Sequence, residues 1–334
     1  MNKIIHEPAV QEDTLVFNFR FYASDTDAAL MAQVVQECMR AANVDWMITS
    51  EDILRQNNYL DNFNAQEDIV LVENEQDPIA FALAYWYREL RGDLILRQLV
   101  RVLPQWRGHG IEDALLAWAE DHLLAKSFDE VDGESYLSSS AVTTEEDRIE
   151  QLQARGYTPA RYFFEMVRPL DKPIPDHKLP VGLEVRPAHP DHYQQIFEAS
   201  DDAFQDHWGH VPLTENMIRE WMESPEFQPD LWQVAWDGDQ VAGMVLNYIR
   251  EDENERFNRL RGYTEDISVR RPWRRRGLAT ALLARSLKLL KECGMLEAAL
   301  GVDTENPSGA LQLYEHLGFR RIRTMTSFRK SIQE

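Results

Sequence analysis

Two short glycine-containing stretches have the composition of phosphate-binding turns. Residues 105–110 read QWRGHG and residues 274–279 read RRRGLA. Small residues there let the backbone approach a ligand closely, and the free N–H groups at the start of a following helix attract an anion. A plain strand-to-helix turn is the alternative for one copy, whereas two copies favour a ligand. The candidate binding residues are Gln105, Gly108 and Gly110, and Arg274, Arg275, Arg276, Gly277, Leu278, Ala279 and Thr280.

Arginines are concentrated around the second turn. Five of the seven residues from Arg270 to Arg276 are arginine, although the chain carries 35 basic against 57 acidic residues and a net charge of −22. Guanidinium groups pair with phosphate oxygens in bidentate fashion. A solvated run of charge is the alternative. Because the run adjoins a glycine turn, the sequence favours a diphosphate ligand.

The composition limits the class of protein. A length of 334 residues with 44% hydrophobic residues predicts two globular domains. The acidic balance argues against nucleic acid or an anionic membrane as partner. Two cysteines, Cys38 and Cys293, are too few for a disulfide framework and fit a reducing cytoplasm. Residues 1–17 lack the pattern of a signal peptide, and the longest apolar stretch, 80–87, is too short to span a membrane, so we expect a cytoplasmic protein.

Three landmarks recur in the same order along the chain and predict a duplicated fold. The turns of two predicted strand hairpins lie at Asp77 and Asp239, and the turn glycines are Gly108 and Gly277. ARGY ending at residue 157 matches HLGF ending at residue 319, at the same offset as the two hairpin turns and nearly that of the two glycines. Each half reads as strand, helical region, hairpin, long strand, helix, strand, helix and strand, which predicts a mixed α/β architecture.

A proline-rich segment separates the two predicted halves. Residues 169–180 contain four prolines, a composition that resists both helix and sheet. We therefore predict a first domain over residues 12–170, a linker over 171–180 and a second domain over 181–334.

The second half carries a family resemblance over nearly its whole length. Its motifs are RRRGLA at 274–279, VDTENPSGAL at 302–311 and LYEHLGF at 313–319. With the duplication, these motifs resemble tandem Gcn5-related N-acetyltransferases (GNAT proteins), the layout of mycothiol synthase-like proteins. The resemblance implies an α/β (α+β) fold of two tandem domains, each with a mixed, mostly antiparallel sheet flanked by helices, and acetyl-CoA as cofactor. The first half matches in its turn and hairpin but poorly beyond.

Tyr314 is the candidate general acid. Asn306 and Pro307 form a typical helix start and Gly318 a typical helix end, which predicts a helix with Tyr314 on its apolar face. A buried core tyrosine is the alternative. The resemblance implies that Tyr314 protonates the departing CoA thiolate, whose ordinary pKa near 8.5 suits a phenol donor. It also implies that Asn306 and Ser308 lie at the cofactor.

The strand before the second turn offers a candidate base. Alternation along residues 264–269 puts Glu265, Ile267 and Val269 on one face and Asp266 and Ser268 on the other. Similarity to the Leu-Glu-Asp strand of spermidine acetyltransferase-type GNAT proteins implies that Glu265 deprotonates the amine. Pairing of Glu265 with an arginine and a water relay are the alternatives. Asp266 is a candidate for holding a cationic acceptor. The family fold implies that backbone N–H groups from Ile267 to Val269 face the acetyl group and pantetheine.

The remaining candidates concern the acceptor and the first half. His207, Trp208 and His210 form a loop that we assign to acceptor contact, with packing on its own helix as the alternative. Their spacing matches no common zinc pattern, so we expect no metal. In the first half Leu152 occupies the place of Tyr314, which predicts a catalytically silent domain and leaves open whether its turn binds acetyl-CoA.

The sequence thus predicts an N-acetyltransferase that moves acetyl from acetyl-CoA to a primary amine of a small molecule by direct attack. The acidic residues favour a cationic amine, and a mycothiol synthase-like cysteinyl acceptor stays open. A non-catalytic acyl-CoA sensor and a peptide N-terminal acetyltransferase are the alternatives. We expect neither nucleic acid nor a membrane as partner, and the oligomeric state stays open.

Overall fold

A computed structural model describes residues 16–75, 77–129, 132–306 and 308–332. Pro307, the predicted domain start at residue 12 and most of the segment on which the signal-peptide expectation rests lie outside these residues. The chain forms two compact units. The first contains the residues up to Ala160 together with those from Ser327 onward, and the second contains Arg161–Thr326.

The first unit is a sheet with helices packed on it. Its strands are β1 (Phe17–Phe21), β2 (Ile69–Asn74), β3 (Asp77–Arg88), β4 (Leu94–Val102) and β5 (Ser135–Val142). Its helices are α1 (Thr26–Ala41), α2 (Ser50–Tyr59), α3 (Ala65–Asp68), α4 (Ile111–Leu124) and α5 (Glu146–Ala154). Strands β1 to β4 pair antiparallel in chain order, and β5 pairs parallel to β4. Burial of the apolar faces of α1 and α4 over β3 and β4 forms the core.

The second unit repeats this plan. Its strands are β6 (Thr158–Pro169), β7 (Glu184–Arg186), β8 (Gln233–Asp237), β9 (Gln240–Tyr248), β10 (Arg261–Val269), β11 (Glu297–Asp303) and β12 (Arg320–Ser331). Its helices are α6 (Tyr193–Phe204), α7 (Glu215–Met222), α8 (Glu251–Arg256), α9 (Leu278–Glu292) and α10 (Ala310–His316). Strands β7 to β10 pair antiparallel in chain order, β11 is parallel to β10, and β6 is antiparallel to β11. The predicted mixed, mostly antiparallel fold with flanking helices is confirmed.

The boundaries between the two units lie after Ala160 and after Thr326, and not in the proline-rich segment. Most of β6 belongs to the second unit, where Met166 is buried in the core, while the end of β12 belongs to the first. There Phe328 is 1% exposed in the core and the Ile332 N–H donates to the carbonyl of Ser135 on β5. Each unit is therefore completed by strand residues from the other half of the sequence. Ile174, in the proline-rich segment, packs on the core of the second unit.

Within the described ranges, no helix combines the length and the apolar character needed to cross a bilayer.

Candidate active site

The second unit contains a groove of about 680 Å³. It opens because β10 and β11 pair only from Arg261 opposite Glu297 to Tyr263 opposite Ala299 and then part. Eleven of the candidate cofactor residues meet in its lining: Ile267, Ser268, Val269, Arg274, Arg275, Gly277, Leu278, Ala279, Thr280, Asn306 and Ser308. The end of β10, the glycine turn, the start of α9 and the segment before α10 thus converge on one place.

A β-bulge interrupts β10 beside the groove. Glu265 lies opposite Leu246 on β9 and Ser268 opposite Met244, so three steps on β10 match two on β9. The backbone of Asp266 adopts a left-handed conformation with φ of 44°. The extra residue reverses the alternation, so Glu265 shares a face with Ser268 and the sequence-based face assignment is wrong. Such a bulge leaves backbone polar groups outside the ladder, where they are free to bind a ligand.

The turn after β10 ends in a helix N-terminus that no side chain caps. Gly277 has φ of 80° and directly precedes α9, with no side-chain hydrogen bond to the first turn. A Cβ atom at Gly277 would meet nothing within 4 Å, so the backbone conformation, rather than crowding, favours glycine. The first N–H groups of α9 lack partners within the helix, which suits an anion.

Aspartates, rather than open solvent, face much of the arginine cluster. The Arg270 Nε donates to Asp202 at 2.7 Å, and Asp206 accepts from Arg271 at 2.6 Å and from Arg274 at 2.8 Å. The two guanidinium groups hold the pKa of Asp206 well below its usual range. Three of the five arginines are therefore held by carboxylates of the segment around the end of α6, a third arrangement beside the diphosphate ligand and the solvated run of charge considered from the sequence.

The last two arginines of the cluster differ in position. Arg275 lines the groove and has a left-handed backbone with φ of 63°. Arg276 is exposed, does not line the groove and approaches the Val181 carbonyl at 3.5 Å. Arg274 and Arg275 are therefore the arginines of the cluster that border the groove. Arg274 already donates to Asp206 and to the carbonyls of Val269 and Ala203.

Helix α10 begins later than the sequence predicts. Gly309, with φ of 78°, directly precedes it, so Asn306 is not its N-cap. The Asn306 side chain instead accepts from the Ser308 N–H at 2.9 Å in a local turn before the helix. The predicted end is confirmed, because Gly318 has φ of 95° and the Phe319 N–H donates to the carbonyl of Tyr314 at 3.0 Å.

Tyr314 is a core residue that also lines the groove. It is 4% exposed, and its ring meets that of Phe319 edge-on at 6.2 Å. Burial, together with the nearby Glu265, raises the pKa of the Tyr314 hydroxyl above its ordinary value. The phenol therefore keeps its proton at neutral pH, as a general acid must.

Glu265 and Asp266 are adjacent carboxyl groups in partly buried positions. The Glu265 Oε1 accepts from the Gly301 N–H at 3.2 Å. In the described part of the chain neither carboxylate makes an ion pair, so pairing of Glu265 with an arginine is not observed. Burial, with the neighbouring Asp266, raises the pKa of Glu265 to about 8, and burial raises that of Asp266 to about 6. Neither residue lines the groove itself.

The predicted acceptor loop is divided by the structure. His207 lines the groove, and burial lowers its pKa. The Trp208 ring packs against Phe163 at 6.2 Å, and His210 lies 3.2 Å from Asp201. Neither Trp208 nor His210 is part of the groove lining. Sequence reasoning missed Ala203, Asp206, Trp273, Gly309, Ala310 and Leu313, all of which line it.

The cavity that Arg107 of the equivalent turn lines in the first unit is much smaller than the groove. Gly110 has φ of 80° and directly precedes α4, as Gly277 precedes α9. The nearby cavity measures only about 40 Å³, and neither Gln105, Gly108 nor Gly110 lines it. Among the described residues, no group of three or more histidine, cysteine or acidic side chains is arranged to hold a metal ion.

The groove lies in a part of the chain that matches a known family. Residues 193–319 match the acetyltransferase (GNAT) family. The resemblance to tandem GNAT proteins is thereby confirmed.

Relatives and solved structures agree with this assignment. Mycothiol acetyltransferase of Thermobispora bispora is 29% identical over 167 residues, which cover 50% of this chain and 56% of that protein. The Geodermatophilus obscurus enzyme of that name is 28% identical over 233 residues, 69% of this chain and 72% of that one. N-alpha-acetyltransferase 30 of Schizosaccharomyces pombe is 33% identical over 97 residues, 29% of this chain and 62% of that protein.

Two solved structures match nearly the whole chain in fold. The GCN5-related N-acetyltransferase from Sphaerobacter thermophilus has a TM-score of 0.69 at 24% identity, covering 95% of this chain and 96% of that one. A tandem GNAT protein from the clavulanic acid biosynthesis pathway has a TM-score of 0.66 at 14% identity, covering 96% and 99%.

Proposed function

We propose that the second unit transfers the acetyl group of acetyl-CoA to a primary amine of a small molecule by direct attack. The observation that carries this proposal is the convergence of Tyr314, the β10 bulge and the N-terminus of α9 on one groove. The diphosphate binds the first N–H groups of α9, with Arg274 and Arg275 beside it. Pantetheine follows the bulge toward Tyr314.

In this mechanism the reacting ammonium group first loses one proton to water. The neutral nitrogen then attacks the thioester carbonyl carbon, and its second proton passes to the ionised form of Glu265, directly or through water. Backbone N–H groups at the bulge donate to the developing oxyanion. The C–S bond then breaks, and the Tyr314 hydroxyl donates its proton to the sulfur, which releases CoA as a thiol. Only the ionised form of Glu265 can take this proton, and because its pKa is about 8 that form increases through neutral pH and is the major one above pH 8.

The acceptor we propose is a small cationic amine. Support comes from Glu265 and Asp266, which make no described ion pair, because a bound ammonium group would compensate the charge of their ionised forms. Tyr263, two residues before Glu265, stacks on Tyr248 with centroids 4.9 Å apart. Aromatic faces beside carboxylates also favour a cation. The likeness to an N-alpha-acetyltransferase makes a peptide N-terminus the second candidate.

Thiol release from acetyl-CoA tests the proposal. The amine panel contains polyamines, an aminoglycoside, a cysteine amide and a short peptide, and the signal from the exposed Cys293 is subtracted. Tyr314→Phe is expected to lower kcat about 10²-fold or more, since it removes the acid, with acetyl-CoA affinity unchanged. Tyr162→Phe, at a residue 43% exposed, is the matched control.

Two results would contradict this function. Full kcat in Tyr314→Phe would remove the assigned acid. Tight binding of acetyl-CoA without thiol release for any amine would instead support the non-catalytic sensor.

A further inference from the structure

The first unit has the same opening between parallel strands as the second. Strands β4 and β5 pair from Leu94 opposite Ser135 to Arg97 opposite Ser138 and then part. In the second unit the corresponding parting of β10 and β11 leads into the groove of about 680 Å³, whereas here the cavity measures about 40 Å³. Something in the first unit therefore fills the space between its strands.

The Arg148 side chain, from α5, crosses this opening. Its Nε donates to the Ser140 carbonyl at 2.9 Å and its Nη2 to the Ser139 Oγ at 2.9 Å, both on β5. Its Nη1 donates to the carbonyl of Val100 on β4. The guanidinium group thus uses the backbone of both parted strands and joins them where the second unit is open.

The internal repeat identifies the equivalent of Arg148. Arg148 corresponds to Ala310 at the same offset that relates Leu152 to Tyr314 and Gly156 to Gly318. Ala310 lines the open groove with a single methyl group. The residue at this position is therefore the small Ala310 in the unit whose site is open, and the long, cationic Arg148 in the unit whose site is closed.

A second difference lies in strand β4. It pairs with β3 without interruption from Leu94 opposite Arg88 to Val102 opposite Ala80. The shift that separates Glu265 from Ser268 in β10 has no counterpart in this pairing. Without a bulge, the ladder between β3 and β4 stays complete along this stretch, unlike that between β9 and β10.

We propose that Arg148 occupies the pantetheine position of the first unit and closes it, so that each chain binds one molecule of acetyl-CoA, in the second unit. The inference rests on the proposed function for the identity of the ligand. Gly108 and Gly110, both with positive φ, then serve only the geometry of their turn.

Calorimetric titration of the full chain with CoA measures the number of sites. Aspartate tolerates a positive φ and would repel a phosphate group, so Gly277→Asp and Gly110→Asp probe the two turns, with the asparagine variants as neutral controls. We expect one equivalent bound by the wild type, none by Gly277→Asp and one by Gly110→Asp. Two equivalents in the wild type, or one that only Gly110→Asp removes, would overturn the proposal.

Thiol labelling tests the closure without any ligand. Cys38 lines the small cavity with Arg148 and is 1% exposed, whereas Cys293 is exposed. In the wild type we expect iodoacetamide at pH 8.5 to modify Cys293 alone. In folded Arg148→Ala the modification of Cys38 should accelerate at least tenfold. Arg97→Ala, whose side chain does not line this cavity, is the control.

The titration and the labelling experiment test different parts of the proposal, so one can contradict it without the other. A folded Arg148→Ala chain in which Cys38 stays unreactive would show that another group closes the opening. If Arg148→Ala does not fold, the titrations of the glycine variants still show how many CoA molecules bind and in which unit. No CoA bound by the wild type would defeat the proposed function, while labelling would still report on Arg148.

Discussion

The environment of Glu265 differs strongly from that of an exposed carboxyl group. Burial, with Asp266 next in the chain, raises its pKa from 4.5 to about 8. The native state therefore holds a proton that the unfolded state has already released at neutral pH. Stability contributed by this group is present below pH 4.5 and is lost as the pH rises toward 8.

Glu265→Gln should therefore stabilise the protein in a pH-dependent way. We expect no difference near pH 4, a gain that grows through neutral pH and a plateau above pH 8, on the order of 2 kcal/mol after allowance for partial exposure. Thermal unfolding between pH 4 and pH 9 measures it. Glu255→Gln, at an exposed position, serves as control. A variant less stable than wild type at pH 9 would refute the assignment.

The conformation of a single residue was predictable where a local sequence motif determines it. Gly277 and Gly318 both have the positive φ that their motifs demand. The ion pairs of Arg271 and Arg274 were not predictable, because Asp206 lies far earlier in the chain. The sequence of a run of arginines does not show whether their partners are solvent, a ligand or carboxylates distant in the chain.

At the scale of elements, the bulge in β10 distinguishes the open unit from the closed one. It depends on the left-handed backbone of Asp266. Alternation in the sequence gives no sign of the bulge, because a strand with one extra residue has the same composition as one without. The start of α10 was mispredicted for a related reason, since the Asn306 signal is satisfied within a local turn and the helix starts after Gly309.

Substitutions at Asp266 should separate the effect of its backbone conformation from the effect of its carboxylate charge. Valine in a left-handed conformation costs about 1–2 kcal/mol, so Asp266→Val should lower stability by that amount and weaken acetyl-CoA binding at least tenfold. Asp266→Gly and Asp266→Asn accept the conformation and should bind within about threefold of wild type. Chemical unfolding and calorimetry measure both quantities. Equal affinity in the valine variant would mean that the bulge does not form the site.

For the whole molecule, the order of elements followed from the internal repeat, whereas the division into units did not. Strands β6 and β12 each belong to both units in part. Residue pattern tells which face of a strand is buried, but not which sheet edge the strand joins. The proline-rich segment was a reasonable boundary by composition, yet the packing of Ile174 attaches it to the second unit.

Phe328 should accordingly stabilise the first unit. Phe328→Ala leaves a cavity in that core and should cost about 3–5 kcal/mol. Hydrogen exchange should lose protection in β4 and β5, with β9 and β10 little changed. Met325→Ala, at a residue 43% exposed, is the control and should have a small effect. Loss of protection mainly in the second unit would contradict this division of the chain.

The late position of Phe328 also has a consequence for synthesis on the ribosome. The segment from Arg161 to Thr326 is translated between the two parts of the first unit, a delay of about 8–33 s at about 5–20 residues per second. Throughout that interval the nascent first unit has an unfilled core position and a strand edge at β5 without its final partner. An open strand edge beside an incomplete core favours aggregation, so the first unit stays exposed to this risk until β12 has been translated.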